Sequence, residues 1–178
     1  MENSELINGA DYTNRLKQLV ACIPDVFDHK SVLYVGGGNR LQVFDEFVKH
    51  NYIIDLVEVF FPNIIKLKDV KGIRTIYNKN IEFFDPKEKY DIVFFWHGIE
   101  HIEKEDVSKL LRRMSKYAKL IVLGMPYGEY EQGELYNNPF EKHISAWYPA
   151  DLQKFGFECD TIGKKNTKRS NLIAWKRI

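Results

Sequence analysis

Seven short apolar runs, several of them separated by stretches of helical periodicity, constrain this chain more than any other feature. Ser31–Val35, Ile53–Phe60, Ile73–Tyr77, Asp91–Phe95 and Leu120–Leu123 read as buried strands, and Phe155–Thr161 and Asn171–Arg177 follow. Tyr12, Leu16, Leu19, Val20 and Ile23 recur at the spacing of an amphipathic helix over about residues 11–23, closed by Pro24. Leu41, Phe44, Phe47 and Val48 mark a second helix face. Pro62 opens a third helix at its first turn, followed by Ile64, Ile65 and Leu67. Val107, Leu110, Leu111, Met114 and Ala118 form the cleanest stripe; its acidic first turn and basic later turns suit the helix dipole. Asp151–Lys154 reads as a short helix. Strands alternating with helices predict βαβ units and a parallel α/β sheet, in one domain spanning 1–178.

Composition narrows the function. Twenty-six basic and 25 acidic residues leave a formal charge of +1, which argues against a dedicated nucleic-acid binder. Cys22 and Cys159 stand apart from any CxxC or zinc-type cluster. No apolar run approaches the roughly 20 residues of a membrane span. The start "MENSELINGAD" is acidic and polar, unlike a signal peptide. A cytoplasmic protein without a membrane partner is expected.

In open α/β sheets, ligands bind beyond the carboxyl ends of the strands. After the first strand come Gly36, Gly37 and Gly38, where the backbone can turn sharply and admit a ligand, or simply turn into the next helix. After the second comes Glu58, 20 residues beyond Gly38, a spacing at which a carboxylate accepts both ribose hydroxyls; Val59 follows it. After the third comes Asn80, whose amide can pair with an adenine edge or stabilise its own turn. Ile81 or Phe60 can cover the base. After the fourth comes "WHGIEHIEKED". His97 is a candidate general base or a structural histidine. His97 and His101 are four apart, but Gly98 weakens a helix there and the HExxH order is missing, so no metal site is expected. The irregular stretch 125–149 is far longer than an ordinary loop and rich in aromatics, as an acceptor pocket or lid would be. It holds His143, a second candidate base.

Together these segments resemble the class I S-adenosylmethionine-dependent methyltransferases, small-molecule branch. "SVLYVGGGNR" resembles their first motif, "DLVEVFFPNI" the acidic strand end that holds the ribose, and "YNKNIEFF" the turn beside adenine. "YDIVFFWHGIEHI" and "HISAWYPADLQKFGFE" resemble later segments, so the likeness runs from about Ser31 onward. The resemblance implies a Rossmann-like doubly wound sheet of about seven strands. They would be mostly parallel with the last antiparallel, in the order 3-2-1-4-5-7-6, with helices on both faces. It implies S-adenosylmethionine as cofactor, held by Gly36, Gly37, Gly38, Glu58, Val59, Asn80 and Ile81, with Phe95, Trp96 and His97 toward the methyl end. The chain departs from the pattern at two positions: Tyr34 replaces the acidic residue two before the first glycine, and Arg40 replaces the third glycine. Arg40 is a candidate partner for the methionine carboxylate.

The activity this implies is methyl transfer to an oxygen or nitrogen of a small-molecule or glycan-type acceptor, with His97 or His143 as base. A non-catalytic binding or scaffolding domain is the alternative that Tyr34 and Arg40 favour. A nicotinamide-dependent oxidoreductase is disfavoured, because Leu41 occupies the last glycine position of Gly-x-Gly-x-x-Gly.

Overall fold

A computed structural model describes residues 9–38, 42–162 and 170–178. The elements, in chain order, are α1 (Gly9–Cys22), β1 (Ser31–Val35), α2 (Gln42–Lys49), β2 (Ile53–Glu58), α3 (Phe61–Leu67), β3 (Ile73–Asn78), β4 (Tyr90–Trp96), α4 (Lys104–Met114), β5 (Ala118–Pro126), α5 (Pro149–Gln153), β6 (Glu158–Ile162) and β7 (Asn171–Arg177). Three single 3-10 turns, Ile81–Phe83, Ile99–His101 and Pro139–Glu141, punctuate the connections.

The seven strands form one sheet in the order β3-β2-β1-β4-β5-β7-β6. β1 pairs in parallel with β2 and β4, β2 with β3, and β4 with β5; β7 alone runs antiparallel, between β5 and β6. The order and the antiparallel last strand agree with what the resemblance implies. Several boundaries shift: the second strand stops at Glu58 rather than Phe60, and the fifth extends to Ala118–Pro126. Ala118 is not the end of the α4 stripe but the first residue of β5, opposite Tyr90, because the helix closes at Ser115, whose hydroxyl bonds back to the Leu111 carbonyl (2.8 Å). The sixth strand begins at Glu158 rather than Phe155, because Gly156 (φ +79°) turns the chain first.

Alternating side chains send β1 to both faces. Leu33 and Val35 join Val93, Phe95, Ile121 and Leu123 against α4 (Val107, Leu110, Leu111, Met114) and α5 (Leu152). Val32 and Tyr34 join Ile54, Leu56 and Phe94 against Leu19 of α1, Ile23 just after it, α2 (Val43, Phe44, Phe47) and Leu67 of α3. Helices therefore cover both faces, as a parallel sheet requires. No helix among the described residues is long and apolar enough to cross a membrane.

One buried ion pair ties the β3 edge to the centre. Asp55 on β2 is fully buried and takes two bonds from Arg74 of β3 (Nε, 2.9 Å; Nη2, 2.5 Å) and one from the Tyr90 hydroxyl of β4 (2.7 Å). Burial pushes the Asp55 carboxyl up, but the Arg74 and Tyr90 bonds outweigh it and hold the group below the usual carboxylate range. An unfolded Asp titrates at about 3.9. The pair's contribution is therefore complete above that pH and is lost as pH falls through the lower folded value. Asp55→Asn should cost about 2 kcal/mol in urea denaturation at neutral pH, below the roughly 3–5 of a fully buried pair because Arg74 is partly exposed. It should also flatten part of the acid limb of stability against pH.

Candidate active site

The carboxyl ends of β1, β2 and β4 meet at the point where the strand order reverses, and the first glycine turn lies there. Gly36 and Gly38 have left-handed backbone (φ +74° and +51°), and the Gly36 N–H bonds to the Val57 carbonyl (2.9 Å). Among the described residues a Cβ on Gly36 would meet nothing within 4 Å, so that residue faces open space there. Gly37 is a glycine for another reason: a Cβ there would come to 2.9 Å from Leu67 Cδ1 and 3.2 Å from Leu56 Cδ1. The turn is pressed onto the core below and open above.

Glu58 stands beside it. Its Oε2 accepts from the Gly38 N–H (2.9 Å) and from Asn63 Nδ2 (3.3 Å); its Oε1 accepts from the Phe60 N–H (2.8 Å). The side chain is 4% exposed, so the carboxylate is fixed at the turn rather than solvated. Half-buried Val59 continues this rim, and Asn78 Nδ2 donates to the carbonyls of Glu58 and Val59 (both 3.1 Å). Asn80 spends its amide locally: Oδ1 accepts from the Glu82 N–H and Nδ2 donates to the Glu82 carboxylate (both 2.9 Å). Of the two roles open to it, the structure exhibits the turn-forming one. Ile81 begins that turn, almost buried, its carbonyl held by Arg113 (2.7 Å).

Two expectations change. Tyr34 is a core residue, 1% exposed, packed among Phe44, Phe47 and Phe94 (5.8, 6.2 and 5.3 Å between ring centroids). Its side chain fills the α2 face instead of standing in for an acid. Phe95, expected toward the methyl end, is fully buried in the α4-side core, because it alternates to the face away from Trp96. Trp96 is only partly buried; it stacks on Phe94 (5.5 Å, 10°) and lies so close over Gly124 that a Cβ there would meet its ring at 2.4 Å. Arg40 lies outside the described residues.

His97 follows with φ +56°, a left-handed conformation rare for a non-glycine residue. Its N–H bonds to the Gly124 carbonyl (2.7 Å), its Nδ1 lies 3.0 Å from Glu100 Oε1, and its Nε2 lies 3.1 Å from Arg15 Nη1. Arg15 comes from α1 and also donates to the Asn171 side-chain oxygen from Nε and Nη2 (3.0 and 2.9 Å, in the amide orientation that satisfies both groups). The amphipathic N-terminal helix thus reaches the C-terminal rim of the sheet, a role its apolar stripe does not announce. Glu100 is 2% exposed. Burial raises its carboxyl, while the His97 bond and the nearby His97 and His101 rings outweigh this and hold it below the usual range.

The stretch 125–149 folds back over this end. The Glu100 carbonyl accepts from the N–H groups of Ile144 and Ser145 (2.9 and 3.1 Å), and the Ser145 hydroxyl bonds to the Ile99 carbonyl (3.1 Å). Glu141 Oε1 comes within 3.8 Å of where a Gly38 Cβ would be, so the stretch also overhangs the glycine turn. His143 packs on Tyr130 and His101 (5.4 and 5.0 Å) with Nδ1 2.8 Å from the Tyr130 carbonyl. Burial holds its pKa below the ordinary histidine value, partly offset by Glu100. Arg15, central here, carries no motif signal; Glu100 lies within "YDIVFFWHGIEHI" and stands at i, i+3 from His97.

The backbone at His97 can be tested apart from its imidazole. Both His97→Ala and His97→Gly lose the ring, but only Ala keeps a Cβ at positive φ. His97→Gly should therefore be the more stable variant by about 1 kcal/mol in urea denaturation.

Over residues 10–161 the sequence matches the family described as a methyltransferase domain. A comparison with curated proteins finds no match. Among solved structures, the chain is similar to the N-methyltransferase NodS from Bradyrhizobium japonicum WM9, at 12% identity over 97% of this chain and 98% of that one, with a TM-score of 0.67. It is similar to DhpI in its SAH complex, at 11% identity over 98% and 88%, with a TM-score of 0.67. It is also similar to the N-terminal domain of EvdMO1 with SAH bound, at 14% identity over 92% and 79%, with a TM-score of 0.66. At such identities the structural likeness is one of fold. The family rests on the sequence match across most of the chain: this protein belongs to the methyltransferase-domain family, within the class I S-adenosylmethionine-dependent methyltransferases that its motifs resemble.

Proposed function

We propose that this enzyme transfers a methyl group from S-adenosylmethionine to an oxygen or nitrogen of a small-molecule or glycan-type acceptor, in the cytoplasm. The observation that carries the reading is the Glu58 carboxylate fixed 2.9 Å from the Gly38 N–H. It brings together, at the switch point, a buried acceptor of hydrogen bonds and a glycine turn with open space above Gly36. These residues fit an adenosyl ligand: Glu58 would hold the ribose hydroxyls, Gly36–Gly38 the backbone approach, and Val59 and Ile81 the apolar rim. When bound, the cofactor supplies an already activated methyl group, so the protein has mainly to align the acceptor and exclude water.

On the acceptor side, His97 is oriented by Glu100 through Nδ1, which leaves Nε2 as the basic atom. Arg15 donates to that atom, so an acceptor hydroxyl or amine has to displace Arg15 before His97 can take its proton. His143, held neutral by burial, is the second base. The overhanging stretch 125–149, with Tyr130, Tyr136 and Phe140 exposed, supplies aromatic surface suited to a sugar or a small ring. Near-balanced charge supports a small acceptor over nucleic acid. The two free cysteines, Cys22 and Cys159, suit a reducing compartment.

Calorimetry with S-adenosylmethionine and its demethylated product tests the cofactor half. Wild type should bind both, and Glu58→Gln should weaken binding by about 10- to 100-fold, as expected for bonds to a charged group. Undetectable binding to wild type at millimolar ligand would overturn the reading. Methyl transfer from labelled cofactor across panels of hydroxylated and aminated small molecules and sugars then identifies the acceptor.

A further inference from the structure

Glu100, His101 and His143 converge where the turn after β4 meets the overhanging stretch. Each offers one ligand atom, and these three atoms lie within 4.8 Å of one another. The remaining bonds of each side chain define what it offers. His101 Nδ1 lies 3.0 Å from the Lys142 carbonyl, and His143 Nδ1 lies 2.8 Å from the Tyr130 carbonyl. A carbonyl only accepts, so in both rings Nδ1 carries the hydrogen and Nε2 keeps its lone pair. Glu100 Oε1 is bonded to His97, but Oε2 is buried and has no hydrogen-bond partner among the described residues. A buried acceptor without a donor is costly, more so on a charged group. Neither neutral imidazole can supply a donor through Nε2. A cation satisfies the carboxylate oxygen and both lone pairs at once.

We propose that Glu100, His101 and His143 form a binding site for a divalent transition-metal ion at the acceptor end of the active site. Two imidazole nitrogens and one carboxylate oxygen suit ions such as zinc, cobalt or manganese better than the all-oxygen preference of calcium or magnesium. Three protein ligands, two of them only half-buried, leave coordination positions open, as catalytic metal sites do. The supporting shell is in place: carbonyls orient both imidazoles, His97 orients the carboxylate, and the Glu100 carbonyl clamps the chain just after His143 through Ile144 and Ser145. Metal–ligand bonds of about 2.0–2.1 Å put tetrahedral ligand atoms about 3.4 Å apart, so binding draws the three together by about an ångström.

The role of the ion rests on the methyltransferase reading above. An acceptor hydroxyl that occupies an open position becomes more acidic and loses its proton to solvent. Its oxygen then bonds to the methyl carbon as the sulfur–methyl bond breaks. The base that Arg15 covers on His97 is then not needed, and the site favours oxygen over nitrogen acceptors.

Metal-free, tag-free enzyme titrated with Co²⁺ tests this by visible absorption and calorimetry. One equivalent should bind with the d–d bands of a nitrogen-ligated site. Glu100→Gln and His143→Asn should each weaken binding by about 100-fold or more, and His97→Gln, whose hydrogen bond to this site is the one to Glu100, by about 10-fold. Thermal melts of each variant report whether it is folded, and Co²⁺ should raise the melting temperature of wild type but not of folded His143→Asn. A spectrum matching the aqueous ion, or unchanged affinity in folded His143→Asn, would overturn the proposal. Calorimetry with S-adenosylmethionine on the metal-free enzyme separates the two readings. Cofactor binding without Co²⁺ binding sinks the metal site alone; Co²⁺ binding without cofactor binding sinks the methyltransferase reading alone.

Discussion

The parallel pairing of β1 with both β2 and β4 is the constraint from which the site follows. A strand with parallel neighbours on both sides is reached by crossovers on both sides, and those crossovers cover both faces. The carboxyl ends of β1, β2 and β4 then point to one rim, and the chain leaving β1 turns one way while the chain leaving β4 turns the other. The crevice between those departures is where the glycine turn, Glu58 and His97 lie. None of them is near another in sequence except through this geometry.

Much of the fold was legible because its elements bury complete faces. The runs at Ser31–Val35 and Asp91–Phe95 are buried on both sides and read as continuous apolar segments; Val107 to Met114 is buried on one side and reads at helical spacing. Boundaries were legible only where a local signal marked them. Ala118 fitted the α4 stripe by spacing, but the helix ends before it in a tightened turn, where the Lys116 and Tyr117 N–H groups bond to the Arg113 and Met114 carbonyls (3.1 and 2.9 Å). The glycine turn and Glu58 were legible because strand ends and a 20-residue spacing are local facts. Arg15, Glu100 and the pairing of His101 with His143 were not, because they are joined by side chains arriving from three different parts of the chain. Phe95 turns into the α4-side core because strand alternation sends every second residue to the opposite face, and a motif does not say which face a residue takes.

Glu100 organises the turn after β4 as Glu58 organises the glycine turn after β1. Both are buried carboxylates just after a strand, but they differ in what is left over. The Glu58 oxygens are all bonded to backbone and amide donors that a bound ribose would share or replace. Glu100 has one oxygen held by His97 and one, buried, without a hydrogen-bond partner among the described residues. A fully paired carboxylate is stable as it stands; a half-paired one is poised for something to arrive. The unusual backbone at His97 points the same way, since the strained conformation turns its imidazole so that one nitrogen meets Glu100 and the other meets Arg15.

Tyr34 bears on which departures from the family pattern matter. Placed in the core among three phenylalanines, it accounts for its own presence by packing, and replacing it with an acid would bury a charge beneath α2. The polar work an acid does elsewhere in the family therefore has to fall to other groups along the rim, or the cofactor's amino acid end is held more by backbone than by charge. Glu58 takes its bonds from Gly38, Phe60 and Asn63, so the departure from the family pattern at Tyr34 leaves a glycine turn closed by a buried carboxylate.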